Sequence, residues 1–296
     1  MDLNSYLYRM ELNLARLHEL QATASLLTFA GIGGGGGSSS SKAKAATGSE
    51  PLLMSEQARA YAKAADRRAL AMDAFMWSDE EGCWRDHVVV PPVAGGRAAP
   101  GAGVVSASNF LPLWAHLPAS PALPDGARKG LVALETLTAS GLVQAGGVQT
   151  TLERTAEQWD APNAWAPVQQ MIIEGLELLG SPEASAAALS LAKAWLESNY
   201  LGWANTGQMH EKYNAKVPGA RGEGGEYLPQ LGFGWTNGVL LHLLSTYGET
   251  LSSLPAPPVQ EEAPAIELKA VADGSAGLAA AERRKDEERR DAGSSQ

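Results

Sequence analysis

Gln158-Trp159-Asp160-Ala161-Pro162-Asn163-Ala164-Trp165-Ala166-Pro167 places two tryptophans on either side of an aspartate and sets two prolines among them. Proline fixes its own φ and pushes the preceding residue out of the helical region, so this stretch cannot be one continuous helix. It holds ring faces and a carboxylate in a fixed array. Indole faces accept the apolar C–H side of a sugar ring, while Asp and Gln exchange hydrogen bonds with its hydroxyls. The same residues also read as a loop leading into a helix, with Trp159 and Trp165 in the core.

Outward from this stretch the pattern is helical. Leu3, Leu7, Met10, Leu14 and Leu17 recur at spacings of four and three, one face of a helix that starts behind Asp2 and runs toward Thr28. Helix resumes near Ser55, with Ala58, Tyr61, Ala65, Ala69, Met72 and Met76 on one side. Further helices are expected at Gly126 to Ala139, Trp165 to Leu179, Pro182 to Leu201 and Thr236 to Tyr247. Ser181-Pro182-Glu183 is a start signal, with a hydroxyl cap, proline at the first helical position and an acid near the positive helix end. Trp77 to Val90 reads as one small β-hairpin and Pro91 to Gly103 as loop.

Two segments do not fit a packed core. Gly33 to Ser41 is a glycine tract followed by a serine tract, and it marks a low-complexity insert at about 31–50. Past Leu251 the chain turns Pro- and Glu-rich, and Glu282 to Arg290 is charged on every side, so 251–296 is expected to be a disordered or charged tail, or a lone exposed helix, and 1–250 the folded domain.

Composition excludes more than it identifies. A formal net charge of −10 over 296 residues argues against nucleic acid or an anionic membrane as partner, since both demand a basic footprint. No apolar run approaches the ~20 residues of a membrane span. The single cysteine, Cys83, rules out an intrachain disulfide and leaves the compartment unread. His18, His87, His116, His210 and His242 have no ligand spacing, so neither a metal nor another cofactor is expected. No nucleophile-elbow pattern is present.

A second segment narrows the reading: Glu211-Lys212-Tyr213-Asn214, then Gly222-Glu223-Gly224-Gly225-Glu226-Tyr227, then Gln230-Leu231-Gly232-Phe233-Gly234-Trp235-Thr236-Asn237-Gly238. With the first stretch it resembles the signature regions of the trehalases, whose pattern runs QWDxPNGWAP, then EKYD, a glycine run, EY and QxGFGWTNG. Ser108-Asn109-Phe110-Leu111-Pro112-Leu113-Trp114 resembles the family's SNFxPLW. The Trp77 hairpin resembles its W…GxWxDY element, with His87 where an aromatic is expected. The resemblance runs from Asp2 to about Tyr247, the insert excepted. It implies an all-α fold, part of an (α/α)6 toroid of paired helices with the active site in loops at one end.

The resemblance also implies chemistry, the inverting hydrolysis of α,α-trehalose to two glucoses by two carboxyl groups on opposite faces of the sugar. Glu211 matches the general base. Gln158, Trp159, Asp160, Asn163, Glu226, Phe233 and Trp235 match substrate-binding positions. Without the resemblance, Glu211 reads as a solvated acid beside Lys212. Besides His87, three positions depart from the pattern. Asn214 replaces an aspartate, Glu223 interrupts the glycine run, and Ala164 replaces a glycine, at a cost of roughly 1 kcal/mol if that position needs positive φ. The family's general acid lies in a motif like ESGWDFSSR, and nothing like it occurs here. The chain is therefore expected to be the C-terminal half of a catalytic domain, with the N-terminal half as its missing partner. The competing expectation is a non-catalytic helical remnant that binds sugar or a protein.

Overall fold

The computed structural model describes residues 2–32, 55–87 and 105–252, with backbone only for 26–32. All of these belong to a unit spanning Met1–Leu254. The insert beyond residue 32, Val88 to Val90, the Pro91 to Gly103 loop and the tail from residue 253 lie outside the described residues.

Helices build the unit in antiparallel pairs. α1 (Asp2–Ile32) packs along α2 (Glu56–Met76). Their opposed directions are fixed by Arg68, which donates to both carboxylate oxygens of Glu11 at 2.9 and 2.8 Å and to Asn4 Oδ1 at 3.0 Å, while His18 stacks on Tyr61 further along. Ser55 caps α2 by accepting the Ala58 N–H, and Ala58, Ala65, Ala69 and Met72 are buried as their spacing predicts. On α1 the inward face is Ser5, Tyr8 and Ala15 rather than the leucine stripe. Leu3 and Leu17 are about 60% exposed. α1 is apolar on more than one side, so the leucine stripe alone does not decide which face is buried.

The single expected hairpin is one of three short antiparallel ribbons among the described residues. β1 (Trp77–Ser78) pairs with β2 (Cys83–Trp84), β3 (Val143–Gln144) with β4 (Gly147–Val148), and β5 (Asn163–Trp165) with β6 (Lys212–Asn214). Strands of two or three residues show no period, so only the first was visible in sequence. A 3-10 turn at Ala107–Phe110 leads into the one-turn helix α3 (Leu111–Trp114), and buried Asn109 donates to the Trp84 carbonyl at 2.7 Å, tying this turn to the first ribbon.

α4 (Gly126–Ala139) has the expected limits. α5 (Ala166–Glu177) begins once Trp165, still extended, has capped it, and Pro167 occupies its first turn. α6 (Pro182–Thr206) starts at Ser181, whose hydroxyl accepts the Ala184 N–H, and ends at Gly207, which takes the left-handed φ of +69°. It runs five residues past the expected Leu201, through Gly202, where a Cβ would meet the Tyr213 ring at 2.7 Å. α7 (Gly234–Ser252) lies against α5, with Tyr247 donating to Glu177 and His242 paired with Glu174.

The core is one cluster that includes Trp84, Phe110, Leu113, Trp165, Trp195 and Tyr213. One close backbone approach in it is at Gly175 of α5, where a Cβ would sit 2.6 Å from the Trp114 backbone nitrogen. Gly175→Ala is expected to destabilise the unit by ~1–3 kcal/mol, because backbone atoms cannot move aside as a flexible side chain would. Chemical denaturation would show this as a lower midpoint at unchanged m. An unshifted midpoint would mean that α3 and α5 are not packed this closely.

Candidate active site

The two motif segments meet in the β5–β6 ribbon. Asn163, Ala164 and Trp165 face Asn214, Tyr213 and Lys212 in antiparallel register, so the loop 151–162 and the loop 215–233 leave the same ribbon. Pro162 also accepts the Ala215 N–H at 2.8 Å. This pairing brings residues some fifty positions apart into one neighbourhood.

Glu211 stands immediately before β6 and is only 6% exposed, which removes the reading of a solvated acid. Its Oε2 accepts the Gln230 N–H at 2.8 Å and its Oε1 accepts the Tyr227 hydroxyl at 3.3 Å. Its carbonyl accepts the Trp235 indole N–H at 3.2 Å, and Thr236 donates to the neighbouring His210 carbonyl at 3.0 Å. The carboxyl plane is thus set by two donors and the backbone behind it by the first turn of α7. Burial, followed by the Glu211 charge and the hydrogen bond to it, pushes the Tyr227 phenol above its usual range, so Tyr227 stays protonated and donates.

An aromatic cluster adjoins. Trp159 stacks on Trp165 with ring centres 4.1 Å apart and 16° between planes. Trp235 meets Trp165 edge-on at 5.5 Å, and Phe233 meets Trp235 at 4.8 Å. Trp165 is buried and donates its N–H to the Gln158 carbonyl at 3.1 Å, whereas Trp159 is 40% exposed. The two sequence readings divide between the two rings: Trp165 belongs to the core and Trp159 presents a surface.

The remaining predicted residues fall around this cluster. Gln158 is half-buried in the loop before Trp159. Both carboxylate oxygens of Asp160 accept threonine hydroxyls, from Thr151 at 2.8 Å and Thr155 at 2.5 Å. Asn163 is buried, its amide donating to the Asp160 carbonyl and its oxygen accepting the Glu223 N–H at 3.0 Å. Glu226 is exposed beside Tyr227, and Phe233 and Trp235 are half-buried at the start of α7.

Sequence reasoning missed Lys212, Tyr227 and the Gln230 amide. Lys212 is wholly buried, and its ammonium donates to the carbonyls of Glu223 and Gly224 at 2.9 Å each and of Gln158 at 3.5 Å. It lies 5.2 Å from the Trp165 ring centre and 5.4 Å from that of Tyr227. Burial lowers its pKa, an effect that the charge of Glu211 opposes. The motif itself was legible, but no local rule says that a lysine there turns inward.

The departures from the family pattern are absorbed locally. Ala164 lies in β5 with an ordinary strand conformation, since His116 is the only non-glycine residue of positive φ among those described. The expected strain at Ala164 does not arise. Asn214 uses its side-chain oxygen to accept the N–H groups of Lys216 and Val217. Glu223 contributes its backbone to the contacts above and leaves its side chain exposed. Gly224 and Gly225 both take φ near +85°, and a Cβ on either would come within 2.8 Å of the loop at Ala156 to Gln158. Their freedom serves this approach between the two loops.

A cleft of about 660 Å³ opens beside the same region, lined by Thr206, Gln208, His210, Arg221, Leu228 and Leu231 among others, with Glu211 not in its wall. Burial and then Arg221 lower the pKa of His210, which favours a neutral ring. Among the described residues no group of three His, Cys, Asp or Glu side chains is placed to hold a metal ion, and no helix is long and apolar enough to cross a membrane.

The described residues are mostly helical with only short strands, and with the solved neighbour reported below the fold is of the (α/α) toroid class. The chain belongs to the trehalase family, which it matches over residues 1–248. It is similar to a probable trehalase of Oryza sativa subsp. japonica, 39% identical over 197 residues that make up 64% of this chain and 34% of that protein. The trehalase of Homo sapiens is 36% identical over 67% of this chain and 32% of its own length, and that of Tenebrio molitor 44% identical over 48% and 25%. Among solved structures, the neutral trehalase of Saccharomyces cerevisiae is similar with a TM-score of 0.53 at 22% identity, over 82% of this chain and 37% of that one, a likeness of fold. The chain spans about a third of the length of the curated relatives it matches.

Proposed function

We propose that these residues form the base-bearing part of an inverting α,α-trehalase, with Glu211 as general base and trehalose as substrate. The observation that carries the reading is the β5–β6 pairing, which puts a buried, doubly hydrogen-bonded carboxylate next to the aromatic cluster of Trp235, Trp165 and the 40%-exposed Trp159. In this reading the Gln230 amide and the Tyr227 hydroxyl hold the Glu211 carboxylate in one plane, leaving each oxygen a further lone pair for a water. The water loses its proton to Glu211 as its oxygen bonds to one anomeric carbon from the face opposite the leaving glucose. Trp159 carries the sugar ring, with Phe233 and Trp235 behind it. Gln158, Asp160, Asn163 and Glu226 supply the polar contacts, Asp160 and Asn163 also bracing the loop itself.

The leaving oxygen needs a proton from a second carboxyl group. Asp160, the acid nearest the tryptophans in sequence, already binds two threonine hydroxyls, which favours a binding and bracing role over an acid's. We therefore assign the acid to residues outside these 296, in the N-terminal half of a longer catalytic domain. The 296-residue chain by itself is expected to release no glucose, and to regain activity when a segment bearing that acid is supplied.

Trehalose titrated into the chain should quench tryptophan fluorescence, with maltose and kojibiose weaker. Trp159→Ala should weaken binding about tenfold, equivalent to ~1–2 kcal/mol for an exposed aromatic contact. Equal affinity for all three disaccharides, unchanged in Trp159→Ala, would remove trehalose and this surface from the reading. Robust glucose release by the chain alone would place the acid within it.

A further inference from the structure

Among the described residues, the most heavily buried charge has no acidic side chain within ion-pair distance of its ammonium. Lys212 Nζ is held by the carbonyls of Glu223 and Gly224, by that of Gln158 at the edge of hydrogen-bond range, and by the faces of Trp165 and Tyr227. Two of those carbonyls lie in the loop that leads to Glu226 and Tyr227, and the third lies in the loop that carries Trp159 and Asp160. A buried ammonium demands full satisfaction of its donors, and here that requires the two loops to converge. Tyr227 then reaches Glu211 Oε1, so the ammonium acts on the carboxylate through the phenol.

We propose that Lys212 is a positioning residue, a buried clamp whose charge joins the 156–160 and 222–227 loops and so sets both the sugar-binding face of Trp159 and the orientation of Glu211. The part concerning sugar rests on the trehalase reading above; the clamp between the loops does not. Neighbouring geometry fits a clamp of this kind. The Lys212 carbonyl accepts the Gly222 N–H at 2.9 Å, and a Cβ on Gly222 would meet Lys212 Cγ at 2.9 Å, so that loop is shaped around this side chain. The Gly225 N–H reaches the Ala156 carbonyl at 2.8 Å, a second tie that depends on the same convergence.

The test is hydrogen–deuterium exchange at the amides of Glu223 and Gly225, which are bonded to Asn163 Oδ1 and the Ala156 carbonyl. Trehalose affinity is measured alongside it on the whole chain. Lys212→Met keeps the length and removes charge and donors. It is expected to speed exchange at both amides at least ~10-fold and to weaken trehalose binding by a similar factor, while amides in α5 and α6 keep their protection. Lys212→Ala leaves a void shaped for the lost Cγ to Nζ atoms, and n-propylammonium should restore protection where n-propanol of equal size does not. Wild-type exchange in Lys212→Met overturns the proposal, as does equal rescue by propanol, which would make Lys212 a space-filler. If Lys212→Met loses helix protection as well, the propylammonium comparison decides. Wild-type chain that fails to bind trehalose while the exchange results hold would sink the substrate reading and leave the clamp standing.

Discussion

Glu211→Gln is expected to lower kcat for trehalose hydrolysis by ~10²–10⁴-fold, in any form of the enzyme that turns over, while KM stays within about threefold. The amide keeps the size of the carboxyl group, and its oxygen still accepts the Gln230 N–H or the Tyr227 hydroxyl, so the loop around it has no reason to open. What is lost is the capacity to take a proton from water in the transition state. A tenfold rise in KM with kcat preserved would instead make Glu211 a substrate contact and send the search for the base elsewhere.

Trp165→Ala is expected to destabilise the folded unit by ~3–5 kcal/mol, as for removal of a fully buried large aromatic side chain. For a unit of this size that is a fall of roughly 10 °C in Tm. The ring is 2% exposed, stacked on Trp159, met edge-on by Trp235, and its N–H donates to the Gln158 carbonyl. It belongs to the core and backs the ring of Trp159, so the mutation should also abolish the fluorescence response to sugar. Trp159→Ala provides the contrast, because its ring is 40% exposed and its loss should change stability by no more than ~1 kcal/mol. Equal effects of the two substitutions on Tm would contradict the division of roles between these rings.

The sequence carried the helical architecture well wherever a cap or a stop was written in it. Ser55 and Ser181 cap the helices they were expected to start, and α4 has the expected limits. It misled where apolar residues occur on several faces. The leucines of α1 form a regular stripe, yet the helix turns Ser5, Tyr8 and Ala15 inward, a face of one hydroxyl, one phenol and one methyl that a count of large aliphatic residues passes over. It was silent on the β5–β6 ribbon, since three paired residues leave no periodic trace, although that ribbon is what assembles the site. Glu211 and the tryptophans were legible through their motifs. Lys212 stood in the same motif and looked like a surface neighbour of Glu211, because burial of an ammonium depends on carbonyls from two loops that only the folded chain brings together. Asp160 stood out as a candidate site residue but its threonine partners were not legible, and they are what argue against it as the acid.

The most direct test of Glu211 as the base of an inverting trehalase is the anomeric form of the first glucose released. Proton NMR would follow trehalose cleavage by a turnover-competent form of the enzyme, read before the sugars mutarotate, with wild type and Glu211→Gln side by side. Attack of water from the face opposite the leaving group converts one α-linked glucose to the β anomer and releases the other unchanged. The account predicts α- and β-glucose in equal amounts from the wild type and neither from Glu211→Gln. Release of α-glucose alone, or near-normal release from the mutant, would contradict it.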